Sequence, residues 1–274
     1  MRRLVRMHRI SIVRTVAGGS QPAFSVASKL VTDDQLPAQL SRAHEIADGA
    51  DVVVVPAPLA RTTPKVVVMD VDSTFIEDEV IDLLAAEAGA AKKVAKVTEK
   101  AMRGELDFEE SLRARVKTLK GLPEKVLDDV RAAVTPTGGA AELVSLVQSN
   151  GGRVGLVSGG FTQILAPLAE QFGITDYAAN TLEISNGKLT GRVDGRIVDA
   201  KFKRRFLRLL CEETGVPVEA SVAIGDGAND ALMVQQAGLG IAFCPKPALA
   251  EVADATVSVR RLDAVWAAVT GRMN

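Results

Sequence analysis

Two aspartates directly follow a short apolar run in the first third of the chain. Asp70 and Asp72 come after residues 66–69, three valines and a methionine, and Pro64 precedes that run. Apolar, mostly β-branched residues bounded by a proline and by acidic residues are typical of a buried strand in a parallel sheet. Ligands bind at the carboxyl ends of such strands. The aspartate pair is therefore the first candidate for residues that do chemistry.

Three further groups of polar residues lie at the ends of predicted strands or near the start of a predicted helix. In a doubly wound sheet these positions converge on one crevice, so we expect the groups to lie close to the aspartate pair. They are Ser158 with Gly159 and Gly160 after a strand over 154–157, Lys203 in a helix over 202–213, and Asp226, Asn229 and Asp230 after a strand over 221–224.

Taken together, the side chains of these four groups indicate one kind of reaction. Several carboxylates held together repel one another unless a hard cation is present, and Mg²⁺ prefers such oxygen ligands. A lysine, a hydroxyl and backbone N–H groups beside glycines are suited to binding a phosphate. A phosphate site with Mg²⁺ and an aspartate nucleophile favours phosphoryl transfer through an aspartyl-phosphate.

Other interpretations fit these residues less well. A calcium loop starting at Asp70 would need glycine where Phe75 stands and glutamate where Ile81 stands. A serine hydrolase would need glycine at Leu156, and neither of the two histidines follows Ser158 in the chain.

A dinucleotide-binding loop at 225–230 is also disfavoured. Asp230 occupies the position of the third glycine, where its charge would repel a pyrophosphate. Three of the four groups are, taken alone, more often structural: an aspartate pair caps a turn, a glycine pair begins a helix, and Lys203 belongs to a basic, solvated helix face. The group over 225–230 is more specific, because two acids and an amide around a turn seldom serve only as a cap. The joint occurrence of the four groups at strand and helix ends favours a functional site.

The elements around these groups predict an α/β fold with a doubly wound, mostly parallel sheet. Residues 77–134 have almost continuous helical spacing and form an insertion after the first core strand. Asn186-Gly187 and Asp194-Gly195 are both hairpin signals. Prolines between 56 and 64 mark a linker, so we expect a small α/β appendage over 1–62, whose role the sequence does not indicate, and a main domain over 63–274.

Composition limits the class of partner and the setting. The chain has 274 residues, of which 47% are hydrophobic and 24% charged, with a net charge of -1. This balance gives no general argument for nucleic acid or an anionic membrane, and no apolar run approaches the ~20 residues of a membrane span. The basic N-terminus favours an amphipathic strand over a nucleic-acid-binding arm. Cys211 and Cys244 have no disulfide or metal spacing, which favours a cytoplasmic setting.

Four motifs, in this order, resemble those of the haloacid dehalogenase superfamily of phosphatases, and within it the enzymes that act on O-phospho-L-serine. The resemblance covers about residues 65 to 260 and implies a Rossmann-like core with a helical cap. Longer members carry a larger N-terminal region. The motifs are D-V-D-S-T over 70–74, V-S-G-G-F over 157–161, I-V-D-A-K-F-K with its lysine at Lys203 or, as an alternative, Lys201, and G-D-G-A-N-D over 225–230.

The resemblance implies a role for each motif residue. Asp70 would be the nucleophile, and Asp72 would protonate the leaving oxygen and then deprotonate the attacking water. The metal and phosphate ligands of such a site neutralise the negative charge of a transferring phosphoryl group. The implied Mg²⁺ ligands are Asp70, the backbone carbonyl of Asp72 and Asp226, with Asp230 in support, and the implied phosphate ligands are Ser158, the Gly159 amide, Lys203 and Asn229.

The cap segment over 101–116 also resembles the cap of those enzymes. Glu79 would contact the substrate ammonium and Arg115 its carboxylate, while Met102 and Phe108 would close an apolar lid. The implied reaction is Mg²⁺-dependent hydrolysis of O-phospho-L-serine, the last step of serine synthesis. Two alternatives remain open, a phosphatase for phosphohomoserine or another small phosphomonoester, and a non-catalytic regulator that binds phospho-metabolites. A homodimer is also left open.

Overall fold

The protein is described by a computed structural model covering residues 6–16, 23–102 and 105–273, without the side chains of residues 101 and 102. Gly18, Gly19 and Ser20, which predict a break after the first strand, lie outside these residues. Within them, none of the helices combines the length and apolar character that crossing a bilayer requires.

A seven-stranded sheet forms the centre of the molecule, in the order β10-β9-β8-β4-β5-β6-β7. All neighbouring strands are parallel except β6 and β7, so the predicted doubly wound, mostly parallel fold is confirmed. Central strand β4 is buried along its whole length, as its run of valines predicts. The strands are β4 (Val66–Met69), β5 (Arg153–Phe161), β6 (Asp176–Ser185), β7 (Lys188–Asp194), β8 (Ser221–Gly225), β9 (Leu239–Phe243) and β10 (Ala255–Val257).

Helices cover the sheet, and two apolar clusters hold them to it. The helices of this layer are α6 (Ala140–Ser149), α7 (Thr162–Gln171), α8 (Ala200–Thr214), α9 (Ala231–Gln236), α10 (Pro247–Ala250) and α11 (Asp263–Thr270).

The helical insertion after β4 is confirmed as a cap. Its third helix begins with a capping box, in which Asp107 and Glu110 satisfy each other's backbone N–H groups. A bridge between Ile76 and Pro136 joins the two connections of the cap to the core. The cap helices are α2 (Val80–Glu87), α3 (Ala91–Met102), α4 (Phe108–Lys117) and α5 (Val126–Ala133).

The N-terminal region forms a separate three-stranded antiparallel sheet in the order β2-β1-β3. One face of this sheet packs against the helix over 36–47, and the other face packs against α11 as part of the main core. On that second side the Ser11 hydroxyl donates to the Ala268 carbonyl of α11 at 2.6 Å. The region therefore packs against the C-terminus of the chain. Its elements are β1 (Met7–Val16), β2 (Ala23–Thr32), α1 (Leu36–Ala47) and β3 (Asp51–Val55).

One of the two predicted hairpins is wrong. Strands β6 and β7 are joined at Asn186 and Gly187, which have positive φ angles of 51° and 69°, as a tight hairpin turn requires. At Asp194-Gly195 no second strand follows, because Ile197 and Val198 continue as an irregular segment into α8. The Asp-Gly dipeptide there ends β7.

Candidate active site

Asp70 and Asp72 lie at the carboxyl end of β4, at the start of a tight turn over 71–75. Asp70 is buried, and its Oδ1 accepts the Val71 amide at 2.7 Å. Asp72 accepts the Val80 amide at 2.7 Å on Oδ1 and the Ser158 hydroxyl at 2.8 Å on Oδ2. Burial, and then the charge of Glu79, raise the pKa of Asp72 to about 6. The turn thus points two carboxyl groups of different environment into one crevice.

Lys203 lies between two buried carboxylates. Its Nζ is 2.7 Å from Asp70 Oδ1 and 2.7 Å from Asp230 Oδ1, and its side chain has no exposed surface. Burial alone would lower the pKa of Lys203, but the charges of Asp230 and Asp70 outweigh it and raise this pKa. Burial, and then the charge of Asp230, raise the pKa of Asp70, against the opposing charge of Lys203. A protonated lysine at this place holds the two carboxylates together.

The loop after β8 is organised around Asp230. Its Oδ2 accepts the amides of Asp226 and Gly227 at 3.2 and 3.1 Å, while its Oδ1 accepts Lys203. Asp226 is buried and faces the same crevice. A side chain at Gly225 would collide with the Asp230 carboxyl at 2.5 Å, so the close approach requires glycine there.

The carboxylates of this crevice fit a hard divalent cation. One oxygen from each of Asp70, Asp226 and Asp230 can be chosen so that all lie within 4.8 Å of one another. Grouped carboxylate oxygens are the donor set that Mg²⁺ and Ca²⁺ bind. The family-implied metal site is therefore compatible with the residues present.

The segment 158–160 bulges out of the pairing between β5 and β6. The Ser158 hydroxyl accepts the Gly160 amide at 2.7 Å. A Cβ at Gly160 would lie 2.8 Å from Asp72 Oδ2, so this glycine lets the backbone approach the aspartate. The bulge therefore presents a hydroxyl and glycine amides beside Asp72.

A cavity of about 560 Å³ lies between the residues described above, which form its floor, and the cap. On the cap side, a Cβ at Gly159 would come within 3.1 Å of the Phe108 ring, so the ring packs over this glycine. Half-buried Arg115 donates from Nε to the Ser111 carbonyl at 3.4 Å, and in the described part of the chain it has no carboxylate within salt-bridge distance. Burial lowers the pKa of Arg115, opposed by Glu79, Asp82 and Asp72. A guanidinium placed this way is available to a carboxylate that enters the cavity.

The structure brings together nearly all the residues singled out from the sequence. Lys201, the alternative to Lys203, is exposed on α8 and does not line the cavity. Met102 ends α3, and its side chain lies outside the described residues. Those that line the cavity are Asp70, Asp72, Glu79, Phe108, Arg115, Gly159, Asp226 and Asn229, with Ser158, Lys203 and Asp230 in contact with them.

Two residues of the site were missed by sequence reasoning. Asn180 is buried on β6, where its side chain donates to the Gly159 carbonyl and accepts the Val198 amide, both at 2.8 Å. Nothing in the local pattern indicates this role. Lys246 lines the cavity from the loop after β9, with Nζ 2.9 Å from Asp226 Oδ2. A lysine between two prolines just after a strand is a signal that could have been used.

Comparison with known proteins defines the class of protein. Residues 67–235 match the model of the haloacid dehalogenase-like hydrolase family, and the chain belongs to this family. Among curated proteins, it is 54% identical over 217 residues to the phosphoserine phosphatase of Streptomyces coelicolor, covering 79% of this chain. The chain spans about half of that relative, 53% of its length.

Two solved structures are also similar to the chain. A phospho-aspartyl intermediate analogue of phosphoserine phosphatase aligns with 41% identity and a TM-score of 0.69, over 73% of this chain and 96% of that one. A probable phosphoserine phosphatase from Vibrio cholerae, in unliganded form, aligns with 33% identity and a TM-score of 0.77. That alignment covers 96% of this chain and 86% of the other, and so extends into the N-terminal region.

Proposed function

We propose that the protein hydrolyses O-phospho-L-serine to L-serine and phosphate through an aspartyl-phosphate at Asp70. The observation that carries this proposal is the arrangement of one cavity, which has the Asp70–Lys203 pair at its floor and the Arg115 guanidinium at its cap side. The names of the relatives support the same substrate.

The first step transfers the phosphoryl group to Asp70. A carboxylate oxygen of Asp70 forms a bond to phosphorus as the bond to the seryl oxygen breaks, and Asp72 gives its proton to that oxygen. Lys203, 2.7 Å from Asp70, provides positive charge beside the transferring group. The Ser158 hydroxyl and the Gly159 amide complete the phosphate pocket.

The second step returns Asp70 to its free form. Asp72, now a carboxylate, takes a proton from water as the water oxygen bonds to phosphorus and the Asp70–phosphorus bond breaks. The Val80 amide donates to Asp72 Oδ1 at 2.7 Å and holds this carboxyl group in place for both proton transfers. One group therefore acts as acid and then as base.

We assign the divalent cation as Mg²⁺, held by Asp70, Asp226 and the backbone carbonyl of Asp72. When bound, it would neutralise negative charge on the phosphate and on the carboxylates. Asp230 already accepts hydrogen bonds on both oxygens, so we assign it to holding Lys203 and the loop over 226–227. Asn229 lines the same pocket.

The cap side of the cavity carries the proposed substrate specificity. Glu79 would bind the ammonium of phosphoserine and Arg115 its carboxylate, and the Phe108 ring packs over Gly159. We place Met102 in the same apolar lid. The free cysteines Cys211 and Cys244 support our placing the reaction in the cytoplasm. We also propose that residues 1–62 and 63–274 are the two units of the chain.

The test is phosphate release from a panel of esters with and without Mg²⁺. We expect O-phospho-L-serine to be hydrolysed with the highest kcat/KM, O-phospho-L-homoserine less well, and ethyl phosphate poorly, with no activity after chelation. Preference for the homoserine ester would overturn the substrate assignment. Tight binding of phosphoserine without turnover would favour a regulatory protein.

A further inference from the structure

Lys246 joins the core of the protein to Glu79, the residue just before the first cap helix. Its Nζ lies 3.4 Å from Glu79 Oε1 and 2.9 Å from Asp226 Oδ2, and 61% of its side chain is exposed. Glu79 directly precedes α2, the first cap helix. A cation from the loop after β9 therefore contacts the residue at which the chain enters the cap.

The backbone of Lys246 is fixed to the core. Its amide donates to the Asp226 carbonyl at 2.9 Å, and Pro247 begins α10 immediately after it. Just before it, the Cys244 amide donates to the Val257 carbonyl at 2.9 Å, on the neighbouring strand β10. The side chain therefore extends toward Glu79 from an anchored position.

Glu79 is held from two sides at the same oxygen. The Ser73 hydroxyl donates to Glu79 Oε1 at 2.9 Å, and Lys246 contacts that oxygen too. Both donors use Oε1, which leaves Oε2 as the oxygen for a ligand cation. A carboxylate fixed in this way loses less conformational freedom when it binds an ammonium.

We propose that Lys246 is a positioning residue for substrate specificity, which holds Glu79 so that Oε2 accepts the ammonium of an amino-acid phosphate ester. This role rests on the proposed function. Because the contact is largely exposed and open to screening, its effect is modest. Removal of the lysine ammonium raises KM for the amino-acid ester by about fivefold, the upper end of what an exposed ion pair contributes, and the loss falls on KM more than on kcat.

The experiment compares Lys246→Met, Lys246→Arg and Glu79→Gln with the Lys246→Met/Glu79→Gln double variant. Each is assayed on O-phospho-L-serine and on ethyl phosphate, which has no ammonium, and the Mg²⁺ concentration for half-maximal activity is measured. We expect Lys246→Met to raise KM for phosphoserine only, Lys246→Arg to restore most of the loss, and Lys246→Met to have no further effect in the Glu79→Gln background. Lys201→Met, an exposed lysine outside the cavity, is the matched control.

Three results with the variants would overturn this role. Equal losses on both esters would mean that Lys246 acts on the phosphate, and a changed Mg²⁺ requirement would mean that it acts through Asp226. An unchanged KM would remove it from substrate binding. Absence of phosphoserine hydrolysis by the wild-type protein would overturn the proposed function together with this role, and that result is seen before any variant is assayed.

Discussion

The cavity holds charges in two different ways. Its floor contains Asp70, Lys203 and Asp230, and its mouth contains Glu79, Arg115 and Lys246. At the floor, Lys203 is fully buried and lies 2.7 Å from both Asp70 and Asp230. At the mouth, Lys246 is largely exposed and lies 3.4 Å from Glu79. The floor is a fixed arrangement of buried groups, whereas the mouth is partly exposed and has room for a ligand.

From this difference we infer that the residues of the floor carry out the reaction, whereas those of the mouth determine which substrate binds. Removing one partner of a buried ion pair leaves an uncompensated charge and costs about 3–5 kcal/mol. An exposed pair contributes about 0–1 kcal/mol. Changes at the floor should therefore abolish the reaction or destabilise the fold, and changes at the mouth should alter the choice of substrate with little effect on stability.

The largest effect on activity is expected for Asp70→Asn. Asparagine keeps the shape and the acceptor oxygen that bonds the Val71 amide, but it is a very poor nucleophile. We expect kcat for phosphoserine to fall by about 10³-fold or more, while circular dichroism shows a folded protein. Appreciable turnover by the folded variant would remove Asp70 from the nucleophile role.

Lys203→Met should damage both stability and activity. It leaves Asp70 and Asp230 buried together without a cation, so we expect the free energy of unfolding in urea to fall by about 3–5 kcal/mol. The matched control is Lys201→Met, two residues earlier on an exposed face of α8, which should change stability by less than about 0.5 kcal/mol. Similar losses in the two variants would contradict the assignment of Lys203 to the floor.

Arg115→Ala tests the mouth. The guanidinium lines the cavity at a partly buried position, so its loss removes the proposed partner of the substrate carboxylate. A hydrogen bond to a charged group contributes about 1.5–3 kcal/mol, so we expect a roughly 10- to 150-fold lower kcat/KM for phosphoserine. Activity on ethyl phosphate should be unchanged.

Arg113 on the same helix provides the control for Arg115. It is exposed and forms an ion pair with Glu109 at 2.8 Å, away from the cavity. We expect Arg113→Ala to retain the wild-type preference for phosphoserine. If Arg115→Ala kept that preference too, the proposal that Arg115 binds the substrate carboxylate would be wrong.

Ser73→Gly should have the smallest effect. Glycine suits the φ of 56° at this position and removes the hydroxyl that donates to Glu79. Loss of one hydrogen bond worth about 1 kcal/mol predicts a roughly fivefold higher KM for phosphoserine, with a melting temperature no lower than that of the wild type. A larger fall in kcat than in affinity would place Ser73 in the floor instead.

The sequence predicted the floor more fully than the surroundings. Strand β4 was predictable because a strand buried on both faces consists only of apolar residues, and the polar residues that follow such strands converge by topology. Strand β2 was not predicted, since it is an exposed edge strand with serine and lysine in its sequence. Helix α11 was missed because it is buried almost all round and shows no polar face.

Contacts between residues that are distant along the chain could not be predicted from the sequence either. The approach of Lys246 to Glu79 joins residues 167 positions apart, and it depends on how the loop after β9 meets the cap. Local patterns cannot give such a distance. The same reason applies to Asn180, whose role depends on its place beside the bulge in β5.

The proposed reaction depends on a covalent phosphoryl group on Asp70, and acid-quench labelling detects this intermediate. The protein is mixed with phosphoserine carrying ³²P, quenched in acid within one turnover and digested, and the labelled peptide is identified. We expect label on the peptide containing Asp70, removed by hydroxylamine and absent from Asp70→Asn. Label on another peptide, or label retained by Asp70→Asn, would contradict the proposed reaction.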